Sequence, residues 1–178
     1  MSGLLRLIGV GIALLLAQAL VRMVLPAFVQ PDLVLVYALA MGLRGGGLQG
    51  LLLAFGAGFV ADVLSGSPPG LFALLCGTAC AATRLLDRAL YLRAAAPWAT
   101  YVGLYALLNF ALCGLALKSF APAAALPWEL LAVRAPASAI LTALCAAPLL
   151  GLFRRLLVEA DRDGSWPVLA TQSSRGRP

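Results

Sequence analysis

Apolar runs long enough to serve as membrane spans recur along this chain, and no other feature constrains its fold as strongly. Residues 7–21, 51–60 and 140–153 are almost wholly apolar. A helix that crosses the hydrocarbon core needs roughly 20 such residues, so six segments would occupy about 120 positions of a 178-residue chain. That leaves short loops and a polar end. Only 11% of residues are charged, against about 25% in a soluble domain. The sequence therefore predicts an all-α fold, a polytopic membrane bundle of about six transmembrane helices over residues 1–158. A disordered cytoplasmic tail is expected over 159–178.

A net charge of +6 raises the question of nucleic acid, but the basic residues sit singly at segment ends rather than on one face interleaved with aromatics. No nucleic-acid partner is expected; the surrounding partner is membrane lipid. The chain has no His, and its four Cys (Cys76, Cys80, Cys113 and Cys145) all lie inside apolar runs. Cys76 and Cys80 share a helix face, yet two thiols without further ligands make a poor zinc site. The cysteines read as small packing residues, and neither a metal nor a cofactor is expected.

The first segment spans about residues 4–25 and stops at Pro26. Its start also resembles a secretory signal, with Arg6, an apolar stretch and Ala17-Gln18-Ala19 in the small-x-small pattern. The apolar run continues past that point, so the segment is read as a retained helix. Pro31 and Asp32 open a second segment over 32–44, as Pro suits a first helical turn and an acid favours the positive end of the helix dipole. Its apolar part is short for a full span. Gly45-Gly46-Gly47 makes a turn, and a third segment covers 48–64. Ser65-Gly66-Ser67-Pro68-Pro69-Gly70 is the clearest breaker in the chain. Further helices are predicted over 71–92, 97–118 and 128–153, the last with possible kinks at Pro136 and Pro148.

Orientation follows from Lys and Arg in the short loops. One set of connections and ends holds Arg6, Arg44, Arg88, Arg93, Arg154, Arg155 and Arg162, whereas the opposite set, 26–31, 65–69 and 119–127, holds no Lys or Arg. Both termini are therefore predicted to be cytoplasmic. Trp98 and Trp128 lie near segment ends, where interfacial aromatic belts are expected.

Gly46, Gly50, Ala54, Gly58 and Asp62 recur every four residues, which places them along one slowly drifting face of the third helix. Small residues at this spacing let a neighbouring helix approach closely in lipid. Ala73, Gly77 and Ala81 repeat the spacing on the fourth segment, predicting a tight hairpin closed by the 65–70 turn. Asp62 extends the stripe and should point into the bundle, where a carboxylate is costly unless partnered. Arg22 and Arg134 are candidate partners for Asp62 and Asp32, giving a candidate internal polar network of Arg22, Asp32, Asp62 and Arg134. Lys118 and Glu129 fit interfacial positions, where long side chains snorkel. No HExxH, Walker loop or Ser-base spacing is present, so no catalytic residue is assigned and no enzyme is expected.

Three elements together resemble a known family: Pro31-Asp32-Leu33-Val34-Leu35, the Gly-rich turn after Arg44, and the run Gly58-Phe59-Val60-Ala61-Asp62-Val63-Leu64-Ser65-Gly66-Ser67-Pro68-Pro69-Gly70. Their order and content are similar to the rod shape-determining protein MreD family, whose members show a Pro-Asp start, a Gly-x-x-x-Asp segment and a Ser/Gly-Pro-x-Gly turn. Here Ser65, Gly66, Pro68 and Gly70 carry that family-like turn. The resemblance covers about residues 4–155. It implies a non-enzymatic inner-membrane scaffold of the bacterial elongation complex, maintaining rod shape by organising side-wall peptidoglycan synthesis. The partners so implied are a single-span MreC-type protein and, more widely, actin-like MreB, RodA and a class B penicillin-binding transpeptidase. The family also resembles the substrate-binding subunits of energy-coupling-factor transporters in fold. That kinship supplies the alternative of a vitamin-binding membrane subunit, with Asp32, Asp62 and the 65–70 turn lining an outward pocket.

Overall fold

A computed structural model of the chain describes residues 2–26, 30–43, 47–65, 69–90, 94–120 and 128–162. Every regular element among them is a helix: α1 Ser2–Val24, α2 Leu33–Leu43, α3 Gly47–Ser65, α4 Leu71–Leu90, α5 Ala95–Phe120 and α6 Trp128–Arg162. This is the expected polytopic helical bundle. α1, α3, α5 and α6 each contain a stretch long and apolar enough to cross a membrane. α4 carries Arg84, Asp87 and Arg88 toward its C-terminal end. α6 continues through Arg162, past the predicted stop at 153. Residues 159–162, expected in the tail, are therefore helical, and the rest of the expected tail lies outside the described residues.

The short second helix is the centre of the molecule. It has 11 residues, about 16 Å at the helical rise of ~1.5 Å per residue, about half the ~30 Å hydrocarbon thickness. Every residue from Leu33 to Gly42 is buried. A helix that is apolar on all faces is either a core helix or a lipid-facing span; α2 is the former, since it contacts each of the other five helices. Those five follow one another around it in the order α1, α3, α4, α5, α6 and back to α1. The most extensive contacts in this ring lie within the α3/α4 and α5/α6 hairpins, and its thinnest seam lies between α4 and α5. The α2 start lies inside the protein, where non-helical backbone at membrane depth is tolerated because neighbouring helices satisfy it.

Small residues set these approaches. A Cβ built on Gly58 would lie 2.5 Å from the Phe72 carbonyl oxygen and 2.7 Å from Ala73 Cα, so α3 and α4 meet backbone to backbone there. One turn pair earlier, a Cβ on Gly50 would lie 3.0 Å from the Met41 carbonyl oxygen of α2, and Ala54 between them is buried. The stripe therefore drifts from α2 to α4 along α3, while Gly46 lies outside the described residues. On α4 the inward positions are Ala73, Cys76, Gly77 and Cys80. Ala81, expected among them, faces outward, because the helix rotates past that face; a Cβ on Gly42 of α2 would instead strike the Cys80 carbonyl oxygen at 2.6 Å.

Trp98 is also a correction. It occupies the first turn of α5, as its place near a segment end suggests, but it is fully buried, and its indole Nε1 donates to the Ala146 carbonyl of α6 at 3.2 Å. Turned inward, it belongs to the core rather than to an interfacial belt. Tyr37 fills the same half of the bundle. Its hydroxyl donates to the Leu7 carbonyl at 3.1 Å, its ring lies 6.1 Å from that of Phe153, and Gly11 leaves room for it on α1.

Candidate functional site

The polar chemistry gathers at the end of the bundle where α1, α3 and α5 finish and α2, α4 and α6 begin. It has two parts, each built on an aspartate.

The first is the α3/α4 junction. Asp62 is 1% exposed, and its carboxylate accepts three backbone amides: Gly70 N–H on Oδ2 at 3.0 Å, Phe72 N–H on Oδ1 at 3.0 Å and Ala73 N–H on Oδ2 at 3.1 Å. A helix begins with N–H groups that have no partner within it, and its N-terminus carries partial positive charge. Asp62 supplies the acceptor and the counter-charge from the preceding helix. Gly70 has φ of +97°, in the left-handed region that side chains disfavour, and its carbonyl accepts the first helical bond, from Leu74 N–H at 2.9 Å. Ser65 closes the other side, its hydroxyl donating to the Asp62 carbonyl at 3.3 Å. Gly66 and Pro68 of the family-like turn lie outside the described residues.

The second part is the buried start of α2. Asp32 is its N-cap: Oδ1 accepts Leu35 N–H at 3.0 Å, and the Asp32 carbonyl accepts Val36 N–H at 3.3 Å. Leu33 N–H donates to Gln18 Oε1 of α1 at 2.7 Å, and Asp32 N–H donates to Thr142 Oγ1 of α6 at 3.0 Å. The Thr142 hydroxyl in turn donates a hydrogen bond to the Ser138 carbonyl at 2.7 Å, and the Ser138 hydroxyl donates to the Gln30 carbonyl. Side chains of the neighbouring helices thus satisfy amides that a helix start leaves without partners inside the helix.

Two adjoining cavities open above this cap, of about 270 and about 180 Å³. Gln18, Arg22, Asp32, Phe72 and Asn109 line both, and Gln30, Arg134 and Ser138 line the smaller. Three of the four residues of the candidate network, Arg22, Asp32 and Arg134, therefore share one crater, and Arg22 acts electrostatically on Asp32. Asp62 is not among the lining residues, but its neighbours Ala61 and Leu64 line the larger cavity, and its own carboxylate accepts the amides of α4. Sequence reasoning followed the charges and passed over Gln18, Asn109, Ser138 and Thr142. Their signal was polarity inside an apolar run; Gln18 in particular reads equally as the middle of a cleavage pattern.

The sequence model of the family described as rod shape-determining protein MreD matches residues 1–157 of the chain. No curated protein and no solved structure matches it.

Proposed function

The chain belongs to the rod shape-determining protein MreD family, and on that premise we propose that it is a non-enzymatic scaffold of the bacterial elongation complex. The match over residues 1–157 carries this reading, since it spans the whole bundle from α1 through most of α6. A role in rod shape determination goes with the family. Beyond that role, the chain organises side-wall peptidoglycan synthesis by holding an MreC-type single-span protein, with MreB, RodA and a class B penicillin-binding transpeptidase in the wider assembly. It sits in the inner membrane with both termini cytoplasmic, because the connections and ends that hold Arg6, Arg44, Arg93 and Arg155 alternate along the sequence with connections that hold no Lys or Arg, and Lys/Arg-rich short loops stay on the cytoplasmic side. The crater then faces outward.

The architecture suits a scaffold. With α2 enclosed by the other five helices, the outer surface is free to meet other membrane segments while the centre stays fixed. The experiment is depletion in a rod-shaped host together with affinity purification from membranes. Rods should round up, and an MreC-type protein should copurify; rods that persist after full depletion would sink the reading.

The crater gives the transporter-subunit alternative its one specific support. Its larger cavity, about 270 Å³, falls just below the ~300–1,000 Å³ of ordinary small-molecule sites. A vitamin-binding subunit should instead copurify with an ATPase module and carry its ligand.

A further inference from the structure

Three features of the crater are left over once the packing of the bundle is accounted for. Asn109 of α5 is 6% exposed and lines both cavities, yet its Oδ1 has no hydrogen-bond partner among the described residues. A buried amide oxygen without a donor is costly. Arg22 and Arg134 reach the same space from α1 and α6. Among the described residues that line the crater the carboxylate is Asp32, and it already gives an oxygen to the Leu35 amide. Two guanidinium groups in the lining of a half-enclosed site suit an anion. Finally, the crater is amphiphilic: Leu15, Met23, Leu64 and Leu75 form apolar wall beside these polar groups.

We propose that this crater binds a phosphate anion that also carries a hydroxyl or amine donor, and that its source is the headgroup of an anionic phospholipid. Arg22 and Arg134 take the phosphate oxygens, since a guanidinium fork matches phosphate geometry. Asn109 Oδ1 accepts the headgroup's O–H or N–H. The apolar wall receives the first carbons of the acyl chains. Access comes from the side: Phe72 and Cys76 of α4 and Asn109, Phe110 and Cys113 of α5 border the crater along the thinnest seam of the helix ring.

The test uses the full chain, purified in detergent and stripped of lipid, independently of any shape phenotype. Phosphatidylglycerol, phosphatidylcholine and inorganic phosphate are added back in separate arms, with retention read by native mass spectrometry and stability by thermal unfolding. Phosphatidylglycerol should be retained in preference to phosphatidylcholine and should raise the unfolding temperature. Arg134→Gln and Arg22→Gln should each weaken retention roughly tenfold, as expected for one charge-assisted hydrogen bond. Arg134→Lys should restore part of it. Asn109→Leu should stabilise the lipid-free protein while weakening lipid retention, which a purely structural asparagine would not do. Stabilisation by inorganic phosphate that is lost in Arg134→Gln would support the anion site and assign it a soluble source. Equal retention of both lipids, or retention indifferent to both arginines, would overturn the proposal. So would finding a polypeptide segment rather than lipid crosslinked to a photoreactive residue at Phe110.

Discussion

The Gly70 amide donates to Asp62 Oδ2 at 3.0 Å, so the last buried residue of the α3 stripe is also the cap of α4. The stripe brings the two backbones together at Gly58, and one turn further on the acid uses that proximity to start the next helix. A carboxylate in a membrane protein is thereby given acceptor work at the positive end of a helix. This interhelical cap ties the family-like turn to the hairpin it closes.

Removing that carboxylate should strand several amides at once. Asp62→Ala is expected to lower stability by at least about 2 kcal/mol, the scale of losing a helix cap and leaving buried N–H groups unmade. Asp62→Asn should fall between, because its NH₂ group turns a donor toward donors. Thermal unfolding in detergent and membrane abundance measure both. Asp62→Arg should not accumulate, and Arg134→Asp should not rescue it. Rescue would mean that an ion pair with Arg134, rather than the cap, is what Asp62 provides.

Gly58 and Gly56 make a matched pair on one helix. A Cβ on Gly58 would lie 2.5 Å from the Phe72 carbonyl oxygen, whereas one on Gly56 would meet nothing within 4 Å. Gly58→Ala is expected to destabilise the hairpin by about 1–3 kcal/mol, the usual range for overpacking, and to reduce accumulation in the membrane. Gly56→Ala should be neutral or slightly stabilising by helix propensity. Equal unfolding temperatures for the two variants would remove the close-contact explanation.

Gly70 isolates a backbone effect, because a Cβ there would meet nothing within 4 Å while φ stands at +97°. Gly70→Ala should cost about 1–2 kcal/mol. Gly70→Asn should be milder, since Asn visits that region more readily. A crowding effect would reverse the order, the larger Asn being worse, and unfolding of the two purified variants separates these cases.

Much of this was readable in the residues, and the exceptions share a cause. Gly50, Ala54, Gly58 and Asp62 share a buried face because four-residue spacing is itself a geometric statement about a helix. The brevity of α2 was visible too, but not its consequence: an 11-residue apolar segment looks the same whether it spans poorly or is enclosed by its neighbours. Enclosure depends on five other helices. Likewise Trp98 sits near a helix end in either case, and only packing against α6 turns it inward. The partners of the α2 cap lie far away in sequence, with Thr142 110 positions from Asp32. A neutral Gln or Thr in an apolar run announces that it will bond, but not to what.

The start of α2 offers the sharpest test of how such a helix is held. Gln18 and Thr142 act on adjacent amides, Leu33 and Asp32, from two adjoining helices, α1 and α6. Gln18→Leu leaves the Leu33 amide without its acceptor at 2.7 Å, and Thr142→Val does the same to Asp32. Each is expected to cost about 1–3 kcal/mol. Hydrogen exchange should report the loss locally, as faster exchange at residues 32–36 with the far half of the bundle, around Leu7 and Trp98, unchanged. Because each variant frees a different amide of the same short helix, the double variant should lose more than either single one but less than their sum, since the second loss falls on an end already frayed. Strict additivity would show that the two amides are held independently. Unchanged exchange in both single variants would show that the cap is made by Asp32 alone, through its bonds to Leu35 and Val36.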